Sequence, residues 1–450
     1  MALVPLFAAT ATLVPEDFGR FRQHIDEHWI TRALVACGPA DVRRRKLPAE
    51  HMVWLVVGMA LFRNLPIAEV VRSLGLVLPD EDGDRSIAPS AIPQARNRLG
   101  EEPLRWLFEE TGRVWSDRSA ESTRYRGLSL WGIDGSCLEV ADTPDHREHF
   151  GGPNSRGGVP SGYPLLRVVV LMALRSHVLR AAAMGGYRQS EISLAESLWS
   201  QIPDDSLTAI DRGFLGAAML IGLTRSGRNR HWITRKKSNL KLRTVQRLGR
   251  GDEIVEVDVS PQARRDDPTL PKTWQMRAIG YQKKGFRPST VLTSLLDAEQ
   301  YPADELVAVY HERWELELGY DEIKTTMLER RETLRSQAAW AVWQEMWGVL
   351  VAYNLVQLER ERLAALVDVP PVRISFITVL RELRSAFVMW QHTSPGALPG
   401  RIRDWEEELA RFVLPERRTD RSFPRAVKIK MSKYKRKRPR TPSSTGRRPN

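Results

Sequence analysis

Cysteine is almost absent, with only Cys37 and Cys137 in 450 residues. Two thiols build neither a zinc site of the usual spacing nor a disulfide framework, and a reducing cytosolic setting fits. No apolar run suits a bilayer. Met52 to Phe62 is too short, and Gln344, Glu345 and Asn354 interrupt the stretch from Ala338 to Leu358. Both read as buried helices. The opening MALVPLFAATATLVPEDF has no basic region ahead of its apolar residues, so a secretory leader is not expected. Neither GxGxxG nor GxxxxGK[ST] occurs, so the Gly- and Ser-rich loop from His149 to Gly162 is not a phosphate cradle. No internal repeat is found, which excludes a solenoid.

What remains is a globular composition. Apolar residues make up 42% and charged residues 27%, and the 14 Trp supply large apolar surface for a core. The length predicts roughly two to four domains. The net charge is +13, yet from Arg425 onward there are 11 Lys or Arg and no acid. The rest of the chain is therefore close to neutral. A basic run of this kind is either a solvated tail or one that contacts a polyanion. A second basic stretch, Arg225 to Arg247, holds nine Lys or Arg and no acid.

Residues 15 to about 118 read as helical. Phe18, Phe21, Ile25, Trp29 and Ile30 recur at helical spacing. Asn64-Leu65-Pro66 breaks one helix and Ile67 begins the next. LPDEDGDRSIAPS is a loop, and AIPQARNRLG starts a further helix with Pro93 near its first turn. This pattern suits a helix-turn-helix or any small helical bundle.

From Gly127 the period changes. Strands are predicted over Leu128–Ile133, Leu138–Ala141, Leu165–Leu174, Leu207–Ile210 and His231–Thr234, with helices over Leu194–Ile202 and Phe214–Leu223. Alternation of this kind predicts a mixed α/β sheet. Residues 236 to 296 break it with β-like runs, EIVEVDVS, WQMRAIGY and STVLTSLL, that look like an all-β insertion. A long helix is predicted from Pro302 to Arg330 and another from Ala338 to Leu366.

Two acids follow apolar strands directly: Asp134, before Gly135-Ser136, and Asp211, before Arg212-Gly213. Ligands of open α/β sheets gather beyond such strand ends. Each Asp is also a common turn residue. A third acid must come from YHERWELELGYDEIK. At about 100° per residue, Arg313, Glu317 and Lys324 fall within about 60° of Tyr310, with Trp314 and Asp321 flanking the stripe. Glu312, Glu315 and Glu322 point elsewhere. The stripe either meets a phosphate backbone or is a solvated face laced with salt bridges.

The spacing Tyr310-x2-Arg313-x3-Glu317-x6-Lys324 resembles the Y-x2-R-x3-E-x6-K signature of bacterial insertion-sequence DDE transposases of the hairpin-forming, cut-and-paste type. GIDGS and AIDRGF are similar to that family's first and second acidic motifs, and the resemblance spans residues 15 to 365. It implies an RNase H-like mixed-sheet core (119–235 and 297–366) interrupted by a β-rich insertion (236–296). The core would be flanked by an all-helical DNA-end-binding domain (1–118), a helical region (367–424) and a basic tail (425–450). The long stretch between Asp211 and Glu317 accommodates such an insertion.

The resemblance further implies that Asp134, Asp211 and Glu317 are catalytic and hold Mg²⁺ or Mn²⁺, two ions in all. Tyr310, Arg313 and Lys324 would contact the DNA backbone. Trp314 would stack on an unpaired base, with Trp232 and Trp274 as rivals better explained by core packing. The implied partners are terminal inverted repeats and target DNA, handled by a homodimer in a bacterial, nucleoid-associated setting without a membrane. The implied activity is metal-dependent cleavage at element ends and joining of the 3′-hydroxyl to target DNA. A metal-dependent nuclease or resolvase on the same core is the alternative.

Overall fold

The computed structural model describes residues 25, 27–38, 46–80, 82–155, 161–283, 287–329, 333–390, 397–410 and 412–415. The basic tail, and Phe18 and Phe21 of the expected first helix, lie outside them.

Among the described residues, five helices come first: α1 (Glu27–Cys37), α2 (Ala49–Leu61), α3 (Ile67–Ser73), α4 (Ala91–Leu99) and α5 (Glu102–Glu121). The expected loop falls between α3 and α4, and Pro93 lies in the first turn of α4. Next come β1 (Ser129–Glu139), α6 (Pro144–Phe150), β2 (Leu165–Ala173), β3 (Leu179–Gly186), α7 (Glu191–Glu196), β4 (Ser206–Ile210), α8 (Ala217–Arg225) and β5 (Arg230–Arg235). The β-rich segment holds β6 (Arg243–Gly249), β7 (Asp252–Asp258), α9 (Pro261–Asp266), β8 (Thr273–Tyr281) and β9 (Ser289–Thr293). After α10 (Ala303–His311) and α11 (Trp314–Asp321) come a π-helical turn (Glu322–Met327), α12 (Ala339–Leu366), α13 (Phe376–Trp390) and α14 (Leu398–Ala410).

Among the described residues, nine strands form one sheet, in the order β3-β2-β1-β4-β5-β9-β8-β7-β6. The antiparallel meander β1-β2-β3 with β4 and β5 parallel to β1 is the arrangement expected of an RNase H-like core. The β-rich insertion does not build a separate sheet. Strand β9 returns to pair antiparallel with β5, so the insertion prolongs the core sheet.

Several expectations need correction. Strand β1 is continuous where two strands were expected. Its pairing with β2 runs unbroken from Trp131↔Ala173 to Glu139↔Leu165, straight through Asp134-Gly135. The turn signal of Asp-Gly loses to this ladder of backbone bonds, a tertiary override of local preference. Strands β3 and β6 were missed. The former is rich in Ala and Gly, and the latter is exposed on both faces, so neither shows an alternating pattern. His149 belongs to α6, not to the loop that follows. The long helix from Pro302 is divided. Glu312 and Arg313 tighten the chain with i→i+3 bonds, Glu312 N to Val309 O at 3.0 Å and Arg313 N to Tyr310 O at 3.1 Å. Ten residues later the π turn loosens it again, and Leu328 N reaches Ile323 O at 3.0 Å.

The sheet is packed on both faces. Trp131, Ile133, Val169, Leu171 and Trp232 face α7 and α8. Leu130, Leu138, Val168, Val170 and Ala209 face the other way and share one core with α11, α12 and the N-terminal helices. Gly132 lets α11 approach the sheet, since a Cβ there would lie 2.6 Å from Leu316 Cδ1.

Helix α12 is buried along almost its whole length. The polar residues that interrupt its apolar run are all bonded. Gln344 Oε1 accepts from Arg96 Nε at 2.8 Å, and Glu345 Oε1 from Arg63 Nη1 at 2.8 Å. Asn354 both accepts from Leu179 N and donates to Leu179 O, each at 2.8 Å, pairing the outer edge of β3 as a neighbouring strand would. Burial of such groups is tolerated because each is satisfied. Among the described residues no helix is long and apolar enough to cross a membrane.

Candidate active site

The pairing of β1 with β4 ends at Ile133↔Ile210. The next residue on each strand is one of the two candidate acids. Asp134 is thus not at a strand end, as expected from sequence. It stands where β4 stops and β1 continues. Asp211 leaves β4 and caps the 3-10 turn Arg212–Phe214, its carboxylate accepting from Gly213 N at 3.1 Å. Its negative charge reaches Asp134.

Helix α11 carries the third candidate acid, Glu317, near this point. Arg313 Nη2 donates to Glu317 Oε1 at 2.8 Å, and its Nη1 lies 3.8 Å from Asp134 Oδ2. Tyr310 is 7% exposed and close enough to Arg313 and Asp211 for their charges to act on its phenol. Arg313 and Tyr310 of the predicted stripe therefore lie by the end of β4, where Asp134 and Asp211 stand, and Arg313 holds Glu317 there. Asp321, which flanked it, is exposed and bonded to Thr325 Oγ1. Lys324 lies farther along, in the π turn, and lines a small cavity with Ser136, Val168 and Tyr320. Trp314 is half exposed beside Arg313, at 52%. The rival Trp232 is fully buried and packs on Trp274 with ring centroids 5.2 Å apart, so it serves the core.

Two residues at this site escaped the sequence reading. The Glu191 carboxylate, from the first turn of α7, fills the space left by Gly135, where a Cβ would lie 2.6 Å from Glu191 Oε1. An acid opening a helix is an ordinary response to the helix dipole, so nothing in the sequence marks it. Tyr320, on α11, donates its hydroxyl proton to the backbone carbonyl of Asp134 at 2.8 Å. It pins the acid-bearing helix to the acid-bearing strand.

The electrostatics are strained toward negative charge. Burial lifts the Asp134 carboxyl to about 6, against help from the Gly135 amide and Arg313, and the charges of Glu191 and Asp211 push the same way. A carboxylate so placed calls for a cation. Among the described residues, no three His, Cys, Asp or Glu side chains stand close enough to enclose a metal ion. Asp134 and Asp211 adjoin, whereas Glu317 is held on Arg313. The donors themselves are hard carboxylate oxygens, and they fit a hard divalent ion.

Comparison with known proteins gives the family. The family Insertion element 4 transposase N-terminal matches residues 15–109, and Transposase DDE domain matches residues 126–355. Transposase InsG for insertion sequence element IS4, from Escherichia coli (strain K12), is 38% identical over 413 residues, covering 91% of this chain and 92% of that protein. The cryo-EM structure of the piggyBac transposase synaptic complex with hairpin DNA aligns over 89% of this chain and 85% of its own, at 12% identity and a TM-score of 0.44. With the DDE match spanning over half the chain and InsG covered almost end to end, the chain belongs to the IS4 family of DDE transposases.

Proposed function

We propose that Asp134, Asp211 and Glu317 are the three acids of this transposase and that together they hold Mg²⁺ or Mn²⁺, two ions when loaded. The observation that carries this reading is the convergence of Asp134, Asp211 and the Arg313–Glu317 pair where β1 outruns β4. Chemistry in this family depends on divalent metal, which neutralises phosphate charge and activates the attacking water or hydroxyl.

The protein's own groups do the rest. Tyr310, Arg313 and Lys324 bind the phosphates beside the scissile bond and orient it, which fixes register without reading sequence. Arg313 carries an additional role. It neutralises Asp134 and Glu317 until DNA and metal arrive, then turns its guanidinium to phosphate. Trp314, exposed next to it, stacks on a base turned out of the duplex, as strand release through a DNA hairpin requires. The buried face of α11, anchored by Leu316 and Tyr320, keeps these groups from swinging free. The substrates are the element's terminal inverted repeats and then target DNA. Two protomers hold two ends in one synapse, and the N-terminal helices bind the ends.

Incubation with Mg²⁺ and DNA carrying the element's own ends tests this. End-specific cleavage with hairpin products is expected. Asp134→Ala, Asp211→Ala and Glu317→Ala each abolish cleavage while DNA binding persists. Normal cleavage by Glu317→Ala together with loss in Glu315→Ala would assign the third acid to the wrong residue.

A further inference from the structure

Three acids of the helical segment, Glu312, Glu315 and Glu322, lie off the stripe that faces the site. The structure gives all three a common anchor, the tight turn between β2 and β3. Arg175 grips Glu312 with two parallel bonds, Nε to Oε2 and Nη2 to Oε1, each 2.8 Å. His177 is 1% exposed. Its Nε2 meets Glu315 Oε2 at 2.8 Å and its Nδ1 meets Glu322 Oε2 at 3.0 Å. The acids sit at the i→i+3 tightening, in the first turn of α11 and at the start of the π turn. They bracket Glu317 and end two residues short of Lys324.

The anchor is itself rigid. His177 adopts a left-handed backbone, φ 66°, inside a turn closed by His177 N to Ala173 O at 2.8 Å. Arg175 Nη1 also holds Thr123 O at 2.9 Å, just beyond α5. From the far side, α12 completes the grip on Glu322 through Tyr353 Oη at 2.7 Å, Gln357 Nε2 at 2.9 Å and Arg360 Nη1 at 2.9 Å.

We propose that Arg175 and His177 are positioning residues, setting the rotation of α11 and of the π turn so that Glu317 and Lys324 face the site, with His177 acting as an imidazolium. This rests on Glu317 being the third acid. Ionised carboxylates only accept, so a ring bonded to two of them donates from both nitrogens and carries a proton. Arg360 and His177 then balance Glu315 and Glu322. Burial by itself would lower the His177 pKa, but Glu322 and Glu315 outweigh it and the net direction is upward. A pKa raised on folding means the grip is complete below about 6.5 and is lost as pH rises through the folded value. Loss of the proton removes one of the two bonds and frees one end of the acid-bearing segment.

The test uses the full-length protein on element-end DNA with Mg²⁺, with single-turnover cleavage followed against pH. His177→Asn suits the left-handed backbone and removes the charge. It is expected to cleave roughly 10–100-fold more slowly, the size of effect that about 1 Å of misplacement produces, with a smaller loss of DNA affinity because Arg313 and Tyr310 still bind phosphate. It also lacks the alkaline decline that wild type shows. Glu315→Gln keeps the shape, removes one of the charges that hold the proton, and moves that decline to lower pH. Should His177→Asn fail to fold, the Glu315→Gln shift decides. An inactive Glu317→Ala beside a wild-type rate in His177→Asn, or an unmoved alkaline decline in Glu315→Gln, overturns the anchor alone. An active Glu317→Ala overturns the acid assignment instead.

Discussion

Arg313 stands between two of the candidate acids, 2.8 Å from Glu317 and 3.8 Å from Asp134. On the proposed reading, its guanidinium supplies the positive charge that a divalent ion would bring to the loaded site. Removing it leaves the carboxylates repelling each other and, on the proposed reading, takes away one of the two charged contacts to DNA. Arg313→Ala is expected to bind Mn²⁺ more tightly, by titration calorimetry or electron paramagnetic resonance. DNA affinity should fall by roughly 10–100-fold, the worth of one hydrogen bond to a charged group.

Asp134 makes the metal-free protein less stable. Its folded pKa, about 6, lies above the ordinary 3.8. The folded state therefore binds more protons between those values, and stability falls as pH climbs through that window and stays low above it. The cost is on the order of 2–3 kcal/mol. Asp134→Asn, without metal at pH 8, should melt at a higher temperature than wild type. A lower melting temperature would mean that the carboxylate is satisfied in the folded state.

Gly132 is where α11 rests on β1. A Cβ there lies 2.6 Å from Leu316 Cδ1 and 2.7 Å from Leu174 Cδ2. Gly132→Ala forces helix and strand apart at a cost of about 1–3 kcal/mol, typical of overpacking. Cleavage should suffer more than the melting temperature suggests, because the same displacement withdraws Glu317 from Asp134. Denaturant titration alongside cleavage kinetics separates the two effects.

The two tryptophans should behave oppositely. Trp232 is fully buried, so Trp232→Ala costs about 3–5 kcal/mol. Trp314 is 52% exposed, so Trp314→Ala leaves the melt unchanged. The second variant should nick element ends normally and form hairpins poorly. Resolving nicked from hairpin products on a denaturing gel distinguishes these steps.

Glu345 joins the N-terminal helices to α12 through Arg63, a pair at 6% and 3% side-chain exposure. Glu345→Ala leaves Arg63 buried without its partner, a loss of about 3–5 kcal/mol. Chemical denaturation of this variant should show the loss, whereas Arg72→Ala, whose salt bridge is surface-exposed, should change little.

Much of the site was readable from local rules. Helical phase narrowed YHERWELELGYDEIK to Glu317 and its neighbour Asp321, the motif resemblance chose between them, and in the structure Arg313 links Glu317 to Asp134. Apolar strands running into Asp134 and Asp211 made them candidates, and the resemblance of GIDGS and AIDRGF to the family's motifs singled them out. Phase failed where the chain departs from 100° per residue, at the Glu312–Arg313 tightening and in the π turn that carries Lys324. Glu191 was invisible because a first-turn acid is commonplace, and only its seat over Gly135 gives it meaning.

By itself, the sequence determined the residue types of the candidate site and the alternation of strands and helices around it, though not strand β3 or the continuity of β1. Both follow from periodicity and motif spacing, which are local. Tertiary structure alone decided that Asp134 sits within an unbroken strand, because pairing with β2 outweighed a turn signal. It also decided that the β-rich segment rejoins the core sheet through β9 and β5. Above all it decided what Glu312, Glu315 and Glu322 are for. Their partners, Arg175 and His177, lie more than a hundred residues away, and an ion pair across that distance exists only after the sheet has brought its two ends together.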